Sequence, residues 1–264
     1  MAKKETITSL QRAKGVRKLV MITAYDALFA SLFAESADMI LVGDSLNMSF
    51  LGAPDTLSAT LDQMIYHTRA VCNGAPESFV ICDMPFGSVN TPDQALENCV
   101  NVFQQTLADA VKIEGGEERA DLIRHLTDNA IPVMGHVGLK PQSVRAEGGY
   151  KVQGRDEKSV ERVLRDAAAV EKAGAFALVV EGVTPALAAM VTREADIPVI
   201  GIGAGKATDG QVLVWSDMLG FFEAFQPKFV KRYMNGAEAV KEAVAKYADE
   251  VRSGAFPGEE HCYK

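Results

Sequence analysis

AVKIEGGE, residues 110–117, is a short apolar run that carries a lysine and a glutamate into its end and stops on two glycines. Lys112 and Glu114 are two apart, so on an extended chain both point to one face while Val111 and Ile113 point to the other. A charged pair inside a strand is costly unless it faces water, metal, substrate or its own counter-charge. The pattern recurs elsewhere in the chain. ILVGDS (40–45) ends on Asp44, FVICDMPF (79–86) on Asp83, PVMGHVGL (132–139) on His136 and ALVVEGV (177–183) on Glu181. When several strands of one chain end this way, their polar tips converge on one site. In a parallel β/α protein that site lies at the carboxyl end of the sheet.

Between these runs the apolar period switches to that of helices. KLVMITAYD (18–26) leads into ALFASLFAES, where Leu28, Phe29, Leu32 and Phe33 share a face. Thr60 with Gln63 three residues on reads as a capping box, and Thr91-Pro92 as an N-cap with proline at N1. The helix after Pro92 is expected to bury Leu96, Val100, Phe103 and Leu107. Leu122, Ile123 and Leu126 mark the next helix, and Val160, Val163, Leu164, Ala167 and Val170 a longer one that stops near Gly174. Thr184-Pro185 caps another. PVIGIGAG (198–205) and QVLVWSDMLG (211–220) read as the last two strands, and a final helix puts Val240, Val244, Tyr247 and Val251 on one face. About eight strand-like runs, each followed by a helix or loop, predict an α/β chain folded as a (β/α)8 TIM barrel. The expectation is one domain over 1–264, with an N-terminal helical extension and C-terminal helices. A doubly wound sheet competes poorly, because its glycine fingerprint is missing from MITAYDALF after the first strand.

Composition narrows the function classes. The net charge of −8 argues against nucleic acid or an anionic membrane surface as a partner. Nothing approaches the roughly 20 apolar residues of a membrane span, and the N-terminus lacks the apolar core of a signal peptide, so a cytoplasmic protein is expected. Cys72, Cys82, Cys99 and Cys262 show no metal spacing and read as buried reduced thiols.

Asp44 and Asp83 end consecutive strands, where two carboxylates repel unless a cation or shared proton lies between them. Without clustered Cys or His, a hard cation such as Mg²⁺ suits them; helix N-capping is the plainer alternative for each acid. Lys112 could hold a substrate carboxylate or enolate oxygen, or pair with Glu114 structurally. Glu114 could bind metal directly or through water. His136 reads equally as a satisfied core residue. Glu181 ends a strongly apolar strand with no cation near it in sequence, so desolvation should make it the best general base of the set. GIGAG (201–205) could be a phosphate loop, as barrels often have after strands 7 and 8. It lacks the Lys-Ser/Thr of a P-loop, so backbone packing or close approach to a ligand reads equally well. These residues suggest metal-assisted proton abstraction beside a carbonyl.

The strings ITAYD, LVGDSLNM, YHTRAV, CDMPFGS, VKIEGGE, GHVGLKPQS, GGYKVQGR, IPVIGIGAG, DGQVLVWSDMLG, PKFVKRY and PGEEH follow one another in this order. Over residues 5–263 they resemble the ketopantoate hydroxymethyltransferase family, a (β/α)8 barrel related to the phosphoenolpyruvate mutase and isocitrate lyase group. The resemblance implies transfer of a hydroxymethyl group from 5,10-methylenetetrahydrofolate to 3-methyl-2-oxobutanoate, giving 2-dehydropantoate and tetrahydrofolate. It implies Mg²⁺ on Asp44, Asp83 and Glu114, and keto-acid contacts from Asp44, Ser45, Asp83 and Lys112, with His136 in the matching GH motif counted among them. It makes Glu181 the proton acceptor and implies a homo-oligomer, commonly a decamer. The segments 49–60 and 72–78 and the terminal HCYK depart from the commoner family forms. A Mg²⁺-dependent carbon–carbon lyase of the same superfamily is the alternative. It should carry a cysteine in a mouth loop, and 115–120 and 137–155 contain none.

Overall fold

Eight short runs rich in Val, Ile, Leu and Met pair in parallel, each with its neighbours in chain order, and the last closes on the first. They are β1 (Leu19–Thr23), β2 (Met39–Val42), β3 (Phe79–Asp83), β4 (Ala110–Glu114), β5 (Val133–Gly138), β6 (Ala177–Glu181), β7 (Val199–Ile202) and β8 (Gly210–Leu213). The computed structural model describes residues 4–223 and 226–263. The chain divides into two compact units, Met1–Val214, which holds the whole barrel, and Trp215–Lys264. Among the described residues, no helix is long and apolar enough to cross a membrane.

Side-chain alternation along each strand fills the barrel. Leu19 and Met21, Met39 and Leu41, Phe79 and Ile81, Ala110, Met134, Ala177 and Val179, Ile200 and Ile202, and Val212 form one buried cluster. Leu10 and Ala13, from the N-terminal helix Ile7–Arg12 and its cap, join that cluster. The same alternation, carried toward the carboxyl ends, brings Asp83, Lys112, Glu114, His136 and Glu181 onto the face that lower down is apolar. Fold and site therefore use one periodicity.

Helix starts agree with the capping signals. Thr60 and Gln63 form the reciprocal box that opens Leu61–Gly74, and Thr91 and Thr184 cap helices that begin with proline. Leu122, Ile123 and Leu126 are buried, as expected. The helix Pro92–Gln105 has the expected period but a shifted phase, because it buries Ala95, Cys99 and Val102, and Leu107 lies beyond its end, exposed. The buried stripe is therefore not the bulkiest one. In Ala27–Phe33, likewise, Ala30 is buried while Leu28 and Leu32 are exposed. The run 211–220 is strand only to Leu213, and Trp215–Met218 is helical, with Asp217 in its first turn. The GIGAG glycines are closely surrounded: a Cβ on Gly201 would meet Thr208 Oγ1 at 2.8 Å and one on Gly205 would meet Pro185 at 3.0 Å.

The second unit contains the helix Gly236–Ser253, whose Val240, Val244, Tyr247 and Val251 are all exposed. Cys72, Cys82 and Cys99 are buried thiols, whereas Cys262 is exposed, contrary to expectation.

Candidate active site

Parallel register decides which strand tips meet. Asp83 lies opposite Lys112, and Glu114 opposite His136. Glu181 lies opposite Gly138 rather than opposite a polar side chain. Gly138 has φ +97°, and a Cβ there would come 2.4 Å from the Glu181 carbonyl, so only glycine lets β5 turn off beside Glu181.

Lys112 Nζ sits 2.8 Å from Asp83 Oδ1 and 3.1 Å from His136 Nδ1. His136 Nε2 lies 3.2 Å from Glu181 Oε2. The Asp44 backbone N–H donates to Asp83 Oδ2 at 3.3 Å. Ser45 Oγ stands 2.8 Å from the Tyr25 hydroxyl. Asp44, Asp83, Lys112, Glu114 and His136 are all buried, and only Glu181 among the strand-tip ionisable groups is half-buried, its side chain 20% exposed. All the residues anticipated from sequence therefore gather at one end of the barrel. Helix capping does not explain Asp44 or Asp83, since the next helices take Ser45 and Thr91 as their N-cap residues.

The electrostatics follow from too many carboxylates around one cation. Burial pushes Asp44 up to about 7, and the Asp83 charge adds to it, while Lys112 and Gln142 oppose. Burial likewise raises Asp83 and Glu114, with Lys112 pulling the other way. Burial alone would lower Lys112, but Asp83, Asp44 and Glu114 outweigh it and keep the ammonium charged. His136 is held down by burial and by Lys112. Its ring is therefore neutral, and with Lys112 donating to Nδ1 the proton lies on Nε2, facing Glu181. Glu181 thus has a neighbour the sequence did not reveal, and its desolvation is partial.

Gln142 was not anticipated. It lies in the short turn Pro141–Ser143 after β5, and its backbone N–H donates to Glu114 Oε1 at 2.9 Å. Its side-chain Nε2 donates to Asp44 Oδ2 at 2.9 Å and to the Met84 carbonyl at 3.0 Å. A neutral amide in a loop carries no charge signal; Pro141, fixing the chain beside it, is the one local hint.

Among the described residues, no three His, Cys, Asp or Glu side chains are gathered closely enough to hold an ion by themselves. Mg²⁺ takes one or two protein carboxylates and completes its shell with water and substrate oxygens. The donors here are carboxylate oxygens, and their excess negative charge is what a divalent cation offsets.

One consequence concerns the metal-free protein. Asp44 binds its proton more tightly folded, at about 7, than unfolded, at 3.8, so its burial destabilises the fold increasingly as pH rises through that window. Asp44→Asn should remove this dependence, making the variant more stable than wild type by up to roughly 4 kcal/mol near pH 8 and by little near pH 4. Urea unfolding in chelator at both pH values reads the difference. A variant no more stable at pH 8 than wild type contradicts it.

Residues 4–259 match the family described as Ketopantoate hydroxymethyltransferase. A protein of Aliarcobacter butzleri (strain RM4018) named 3-methyl-2-oxobutanoate hydroxymethyltransferase is 64% identical, over 98% of this chain and 97% of its own. One of the same name from Sulfurimonas denitrificans (strain ATCC 33889 / DSM 1251) is 63% identical over the full length of both. Among solved structures, phosphonopyruvate hydrolase in complex with oxalate and Mg²⁺ aligns over 97% of this chain and 93% of its own, with TM-score 0.63 and 15% identity. 2,3-Dimethylmalate lyase, a PEP mutase/isocitrate lyase superfamily member, aligns over 100% and 91% with TM-score 0.58 and 18% identity. At such identities the structures speak for the fold alone: a closed parallel (β/α)8 barrel. The two hydroxymethyltransferases, alike to this chain from end to end, go further, and by them and the family match the chain belongs to the ketopantoate hydroxymethyltransferase family.

Proposed function

We propose that this barrel transfers the one-carbon unit of 5,10-methylenetetrahydrofolate to C3 of 3-methyl-2-oxobutanoate, with Mg²⁺ at Asp44 and Asp83 and Glu114 as the third acid. The observation that carries the reading is the meeting, at one barrel end, of three buried carboxylates, one buried ammonium and one half-buried glutamate. In the balanced reaction C3 loses a proton, a bond forms from C3 to the folate methylene carbon, and that carbon gives up its bonds to both folate nitrogens, which take up the C3 proton and one proton of a water. The same water supplies the oxygen of the new hydroxyl.

A bound Mg²⁺ would polarise the 2-oxo group and make the C3 proton more acidic. The chain's own residues do the rest. Lys112, held by Asp83, supplies a fixed positive charge for the keto acid's oxygens, and preorganised charge in a dry site is worth more than the same charge in water. Ser45, half-buried at the start of the helix Leu46–Ser49, offers a hydroxyl to the same substrate. Glu181, half-buried, is the group with access to take the C3 proton at its carboxylate. His136 directs Nε2–H at that carboxylate and fixes its orientation. His136 Nε2 lies 3.2 Å from Glu181, which places the ring to act on that carboxylate.

The direct test is turnover. Protein, 3-methyl-2-oxobutanoate, methylenetetrahydrofolate and Mg²⁺ should yield 2-dehydropantoate, and chelator should stop it reversibly. Carbon–carbon cleavage without folate would instead support the lyase alternative. A homo-oligomer in the cytoplasm accords with this reading, and light scattering measures the assembly.

A further inference from the structure

We infer that Gln142 is a positioning residue for the two acids that flank the cation site, Asp44 and Glu114. The inference rests on the Mg²⁺ reading above and adds a residue to it.

The geometry is specific. Asp44 follows β2, Met84 follows β3 and Glu114 ends β4, and a single residue from the segment after β5 bonds to all three. The Gln142 amide orientation is not ambiguous, because its nitrogen stands between two groups that only accept, a carboxylate and a carbonyl. Gln142 contacts one oxygen of each acid, Oδ2 of Asp44 and Oε1 of Glu114, and leaves the other untouched. Donors behind a ligating carboxylate fix its rotation, and losing one typically weakens metal binding 10–100-fold. Pro141 and the left-handed Gly138 set the path that delivers Gln142 to this position.

The test is Mg²⁺ binding to the folded, metal-free protein by calorimetry, without substrate or turnover. Gln142→Met keeps the length of the side chain and removes its donor, and Gln142→Ala removes both. Neither alters the backbone N–H bond to Glu114. Both variants should bind Mg²⁺ roughly 10–100-fold more weakly than wild type, with thermal stability near wild type. Affinity within about threefold of wild type would overturn the inference and leave the metal reading standing. Tighter binding would do the same, showing that the amide merely occupies an oxygen the cation needs. Failure of both variants to fold would reassign Gln142 to the scaffold. Absence of Mg²⁺ binding by the wild type would remove the metal reading, and this inference with it.

Discussion

Glu181→Gln should lower turnover by roughly 10²–10⁴-fold, the usual worth of a positioned general base. The substitution keeps the shape of the side chain and its place beside His136 but cannot accept a proton. Mg²⁺ and keto-acid affinity should stay near wild type, since Glu181 is outside the cation site. The separation of kcat from binding is what marks a base rather than a ligand. A rate near wild type would move the base elsewhere, and His136, 3.2 Å away, would be examined next.

The second large effect is on stability. Lys112→Met leaves Asp44, Asp83 and Glu114 buried with their one cation removed. Breaking a buried pair from one side typically costs about 3–5 kcal/mol, because the remaining charge is uncompensated. The metal-free variant should therefore unfold at markedly lower urea than wild type. Added Mg²⁺ should recover part of the loss, since it replaces the missing positive charge and binds only the folded state. The folded variant should also bind 3-methyl-2-oxobutanoate more weakly. Normal substrate affinity in what remains folded would confine Lys112 to a structural ion pair.

The fold was legible because burial and function use the same alternation. In AVKIE the residues at 110, 112 and 114 face one way, so placing Ala110 in the barrel interior places Lys112 and Glu114 above it. The capping pairs at Thr60, Thr91 and Thr184 were legible because hydroxyl caps and N1 proline are local chemistry. What failed depended on packing between elements. In Pro92–Gln105 the larger apolar residues suggested an inner face, whereas the residues buried against its neighbours are Ala95, Cys99 and Val102. The pairing of His136 with Glu181 was not legible either, because it depends on the β5–β6 register, which sets Gly138 and not His136 opposite Glu181. Gln142 bonds to residues 28 and 98 positions away, and nothing in KPQS announces that.

These expectations share one premise, that this barrel end removes the C3 proton of 3-methyl-2-oxobutanoate before any folate takes part. Proton NMR of wild-type protein with Mg²⁺ and the keto acid in D₂O, without folate, tests it most directly. The C3 proton signal should disappear far faster than in a protein-free control, and the methyl doublet should collapse as deuterium enters. A C3 signal that persists at the uncatalysed rate, while the keto acid is demonstrably bound, would contradict proton abstraction at this site.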